Sequence, residues 1–187
     1  MSTDSSEDTL SPKVYQKLLE VLGEDYQYAT QVVTYSEVQG CGYDYVGMAE
    51  FRDALTHVKR AIDADDETVA FDELNSVSEH IRRAAVESMQ EYVEDKYASI
   101  KRRLYVNMKN KKRISELEQN IKKNIFQGRE AKPSKKWREA IGYFKEAEIL
   151  LHQLDEEAPL IDVRVEQFKR IVYLLIAVIT GYLIAIV

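Results

Sequence analysis

An arginine, an acid and a histidine stand close together at Arg52, Asp53 and His57, in the run Phe51-Arg52-Asp53-Ala54-Leu55-Thr56-His57. A guanidinium can hold two phosphate oxygens at once, and an imidazole beside a carboxylate can carry a proton to or from a reacting group. On a helix Asp53 and His57 are i, i+4 neighbours, so the carboxylate is placed to favour the protonated ring. Turning about 100° per residue from Phe51 puts Leu55, Val58 and Ile62 within about 40° of it, as one apolar stripe. Arg52, Asp53 and His57 fall at roughly 100°, 200° and 240°, all off that stripe. A solvated helix face shares these directions, so spacing alone leaves both chemistry and solvation open.

The elements that must position these residues are helical. Only seven glycines and three prolines occur in 187 residues, which favours helices over a turn-rich β fold and allows a sizeable core. Ser11-Pro12 predicts a capped helix start, with Val14, Leu18 and Leu22 following at helical spacing until Gly23. A helix is expected from about Tyr45 to Asp63, ended by the acidic connector Asp63–Thr68. The next region, 69–126, is too long for an ordinary globular helix and predicts a break near Asn107–Asn110. A further helix carries Trp137, Ile141, Phe144, Ala147 and Leu151. The fold class expected is all-α: a bundle with long helices, ending in a C-terminal transmembrane helix.

An internal echo is present. Residues 51–61 and 74–84 align at an offset of 23, matching His57 with His80 and then an aliphatic residue, two basic residues and alanine. Either two amphipathic helices share a limited composition, or a helical hairpin places both histidines on similar faces.

At Arg52-Asp53-Ala54-Leu55-Thr56-His57 the sequence resembles the HEPN superfamily, all-helical domains whose ribonuclease members carry Arg, a polar residue and then His four to six positions on. The resemblance implies a homodimer with Arg52 and His57 of both chains lining one cleft. It implies metal-independent RNA cleavage, with His57 in proton transfer, Arg52 at the phosphate and Asp53 in support. It also brings a role in antiviral defence, which membrane-tethered members serve.

Charge is unevenly distributed. The net charge is −6, yet residues 99–138 carry fourteen Lys or Arg against three Glu, a net of +11, leaving −17 for the rest. The run 101–113 contributes Lys101, Arg102, Arg103, Lys109, Lys111, Lys112 and Arg113 with no acid, and Tyr105 interleaved. Such a run suits counterion displacement from RNA, adhesion to anionic lipid, or a solvated face paired with the chain's own acids. The single Cys41 excludes an intramolecular disulfide and a cysteine-rich zinc site. No zinc-protease spacing, Walker loop or dinucleotide fingerprint occurs, so neither metal nor cofactor is expected.

The two ends complete the expected organisation. Residues 1–10 read as an acidic, disordered lead, 11–127 as a HEPN-like domain with a basic arm, and 134–168 as a helical hairpin or stalk. Residues 171–187 carry no charge and follow Arg164, Lys169 and Arg170. They read as a transmembrane tail anchor contacting the lipid bilayer, single-pass, with the N-terminal domain cytoplasmic. The function expected is a membrane-anchored helical effector that binds and cuts RNA. The alternative is a non-enzymatic tethered scaffold that oligomerises or recruits a partner.

Overall fold

The structure, a computed structural model, describes residues 10–40, 42–104, 110–132, 136–157 and 168–176. Among them all regular structure is helical: α1 (Pro12–Glu20), a π-helical turn (Val21–Asp25), α2 (Tyr26–Gly40), α3 (Tyr45–Ile62), α4 (Glu67–Leu104), α5 (Lys111–Ala131) and α6 (Trp137–Glu157). Ser11 caps α1, its Oγ accepting from the Val14 amide at 3.3 Å, and Pro12 takes the first turn, where a missing N–H costs nothing. Gly23 leaves helical geometry (φ −80°, ψ −118°), so α1 and α2 are one helical path with a kink. Of the expected break near Asn107–Asn110, Asn110 leaves helical geometry (φ −114°, ψ 57°) ahead of α5, while 105–109 lie outside the described residues.

Helix α4 is the axis of the fold. Helices α2, α3 and α6 pack along it, α1 touches its first half, and α5 lies on α6. Its Leu74, Val77, Ile81, Met89, Val93 and Ile100 are each at most 1 % exposed, and Phe144, Ile141, Leu151 and Leu154 of α6 complete the core. Two close approaches depend on glycine. A Cβ on Gly128 of α5 would stand 2.7 Å from the Phe144 ring, and one on Gly47 of α3 would stand 2.6 Å from Ser88 Oγ of α4.

Helix α3 packs differently from its apolar stripe. Its buried residues are Gly47, Ala54 and Ala61, seven apart, while Leu55 and Ile62 remain 68 % and 50 % exposed. Small residues let the two backbones approach, and an aliphatic stripe in their place would hold α3 away from α4. Phe51 and Val58 lie between the two faces, partly buried against the core.

The C-terminal transmembrane helix is corrected: among the described residues no helix is long and apolar enough to cross a membrane. Of the expected segment 171–187, only 171–176 fall among the described residues, in the helix 168–176. The single-pass placement with a cytoplasmic N-terminal domain rested on the transmembrane helix and is withdrawn with it. Residues 177–187 lie outside the described residues, as do 1–9 of the acidic lead, 158–167 of the stalk, and Lys109 of the basic run.

Candidate functional site

The α3–α4 hairpin brings the two histidines together, as the internal echo suggested. Their rings stack with centroids 5.0 Å apart and planes 27° from parallel. His57 Nδ1 meets Glu73 Oε2 at 2.5 Å, and His80 Nδ1 meets Glu50 Oε2 at 2.7 Å. A carboxylate at neutral pH only accepts, so each Nδ1 carries the proton in these contacts and each Nε2 is the remaining site. Arg83 closes the group, 3.1 Å from His80 Nδ1 and 3.4 Å from Glu50. All four His and Glu side chains are under a quarter exposed. This is an imidazole held by an orienting carboxylate, twice over.

Arg52 and Asp53 do not join that group. Arg52 donates to Asp53 Oδ1 from Nε (3.2 Å) and from a terminal nitrogen (3.1 Å), with its own side chain 75 % exposed. His57 takes Glu73 from the neighbouring helix and not Asp53 from its own. The angular separation of Arg52 and His57, about 140° around α3, points them to opposite sides of the helix. Sequence spacing found His57 but missed Glu50 and Glu73, because carboxylates 30 and 16 positions from their histidines become neighbours only when α3 and α4 pair.

The basic run is divided by the fold. Arg103 pairs with Asp155, and Arg113 with Glu157 at 3.1 Å, both acids lying at the C-terminal end of α6. Basic residues at the start of α5 and acids at the end of α6 each oppose their own helix dipole, and cross-pairing offsets both. Lys101 lies over the Tyr97 ring at 5.8 Å, and Arg102 donates to the Ala98 carbonyl. Lys111 and Lys112 are exposed on the first turn of α5.

Two apolar rows remain uncovered. On α3, Met48, Leu55 and Ile62 are at least half exposed and repeat every seven residues. On the α1–α2 path, Tyr15, Leu19, Leu22 and Tyr26 are 38 to 54 % exposed at spacings of four, three and four. Tyr26 meets Phe51 edge-on, ring centroids 5.8 Å apart, which brings the end of one row close to α3. Ser11 and Lys13 reach Glu67 at the start of α4, which sets α1 beside the C-terminal end of α3.

A buried acid lies where α2, α4 and α6 meet. Glu148 of α6, 5 % exposed, accepts from Tyr35 (2.8 Å) and Tyr92 (2.7 Å), both on Oε1. Burial, and then the hydrogen bond to Glu148, pushes the Tyr35 phenol up to about 12 and raises Tyr92 further. A raised phenol favours the folded state most below the unfolded value of about 10 and loses that contribution as pH rises toward the folded one. Denaturant midpoints are therefore expected to fall between about pH 10 and 12. That slope should flatten in Tyr35→Phe/Tyr92→Phe, and an equal slope in both proteins would refute the assignment.

No family model, curated protein or solved structure matches this chain. Fold and surface therefore define the class, an arrangement that is all-helical among the described residues, with a central helix and exposed apolar rows. Among the described residues, no group of three or more His, Cys, Asp or Glu could hold a metal ion.

Proposed function

We propose that this protein is a non-enzymatic helical assembly module in which two copies join through the α1–α3 face. The observation that carries the reading is the pair of exposed apolar rows, Tyr15-Leu19-Leu22-Tyr26 and Met48-Leu55-Ile62. Seven such side chains, each exposing on the order of 100 Å², offer roughly 700 Å². That exceeds the largest apolar patch of a typical monomer, about 300–600 Å², and approaches the ~800 Å² per partner of a stable interface.

Charge favours a second copy as the occupant. Arg52 and Lys59 border the α3 row, and each is already paired with an acid of its own helix, Asp53 and Asp63. Two identical faces can then meet without opposing unneutralised cations. The two-fold arrangement agrees with the homodimer that the HEPN resemblance implies. Catalysis does not follow from it, because Arg52 lies beside the row while His57 is turned to Glu73 on the far edge of α3. Sedimentation equilibrium of the full chain tests the reading: a mass near twice 21.7 kDa is expected, and a monomer at every concentration would sink it.

A second reading, RNA binding, is favoured by the exposed Lys111 and Lys112 on the first turn of α5. Binding of single-stranded RNA should weaken with added salt and fall in Lys111→Glu/Lys112→Glu. No detectable binding at low salt would end this reading.

A further inference from the structure

A cleft of about 610 Å³ opens between α1, α4, the C-terminal end of α5 and the start of α6. Its wall carries Lys17, Arg82, Arg83 and Lys132 against a single acid, Glu79, in a chain whose net charge is −6. Lys17 stands about 200° around α1 from Tyr15, so it is turned away from the exposed row Tyr15-Leu19-Leu22. The cleft is therefore separate from the assembly face.

Long cationic side chains ordinarily carry their heads out to water. Here the side chains of Lys17, Lys132 and Arg82 are only 27, 29 and 35 % exposed. Their own acids compensate them poorly. Lys17 pairs with Glu20, which is 70 % exposed and screened by solvent. Lys132 donates to a neutral partner, Gln90 Oε1, at 2.8 Å, and its ion pair with Glu87 is long, 3.7 Å. Arg82 shares Asp25 with Arg138, which holds that carboxylate at 2.9 Å against 3.2 Å for Arg82. The buried Arg82 Nε makes no hydrogen bond among the described residues. None of Glu20, Asp25 and Glu87 lines the cleft. Partly buried charge that is incompletely paired costs free energy, and an anion between these side chains offsets that cost.

We propose that this cleft holds a short phosphate chain, inorganic or carried by a nucleotide, with Lys17, Arg82, Arg83 and Lys132 on its oxygens. Arg82 and Arg83 leave α4 about 100° apart, and Lys17 and Lys132 come from other elements. The positive charge is thus spread along the wall, which suits several linked phosphates better than one. Each guanidinium can take two phosphate oxygens, while the ammonium groups act as point charges. Val86 and Trp137 make part of the lining apolar, and the volume lies within the ~300–1,000 Å³ of small-molecule sites.

Calorimetric titration of the full chain with inorganic tripolyphosphate and, separately, with ATP tests the proposal in metal-free buffer. Saturable binding of at least one probe is expected, with a rise in Tm. Tighter binding of ATP assigns the cleft to a nucleotide; equal or weaker binding of ATP assigns it to the inorganic chain. Lys17→Gln/Lys132→Gln, whose unliganded Tm checks that it folds, should weaken binding by about tenfold or more. Lys122→Gln/Lys123→Gln removes two exposed cations of α5 outside the cleft and should leave the affinity unchanged. No saturable binding of either probe, an unchanged affinity in Lys17→Gln/Lys132→Gln, or an equal loss in Lys122→Gln/Lys123→Gln would overturn the assignment.

Discussion

Replacing Phe144 with alanine is expected to lower the stability of the fold by about 3–5 kcal/mol, the usual range for emptying a buried aromatic site. Phe144 is fully buried, and α5 crosses α6 so closely at Gly128 that a Cβ there would overlap the ring. The size of the effect therefore depends on how far α5 can collapse into the space. Gly128→Ala probes the same contact from the other side. It gains about 1 kcal/mol of helix propensity but must push a packed ring, which costs about 1–3 kcal/mol, so a net loss is expected. In the Phe144→Ala background the obstruction is gone, and Gly128→Ala should then become neutral or stabilising. Urea denaturation of the four proteins completes the cycle, and simple additivity of the two changes would contradict this packing.

The other large effect concerns assembly. Leu55 contributes little to the fold, being 68 % exposed, yet it lies mid-row on the face assigned to the second copy. Leu55→Asp places a carboxylate in that face once per copy. Central interface residues carry on the order of 2 kcal/mol or more, so two copies should raise the dimer Kd by roughly three orders of magnitude. The denaturant midpoint of the dilute monomer should change little. The apolar side chains of 168–176, including Phe168, Ile171 and Leu174, are also exposed and offer another route to association. Leu55→Asp separates the two, because association through 168–176 would survive it.

How much of this was readable beforehand depended on whether the signal was local. Capping at Ser11, the disturbance at Gly23 and the break before Lys111 follow from residue types at helix ends, and they were legible. The burial of α3 was not. A wheel centred on Phe51 ranks Leu55 and Ile62 as core, yet the helix turns Gly47, Ala54 and Ala61 to α4 because close backbone approach needs small side chains. The seven-residue spacing of those three was visible but weighs little on a hydrophobic scale. The candidate site divided in the same way. The alignment of His57 with His80 pointed to the stacked rings, whereas Glu50 and Glu73 acquired their roles only through pairing of distant segments. The charge-free tail reads as a membrane span from composition, but among the described residues no helix is long and apolar enough to cross a membrane.

Site-directed cross-linking addresses the assembly face most directly. Single cysteines placed at Leu55, Ile62 and Leu19 of the full chain, each with Cys41→Ser, would be oxidised and separated under denaturing conditions. Tyr143→Cys, a position on α6 away from the face, would serve as the reference. The two-copy arrangement predicts covalent dimers from at least one of the three face positions, well above the reference and abolished by dilution below the Kd and, for the cysteines at 62 and 19, by Leu55→Asp. Equal, low cross-linking at all four positions would contradict it.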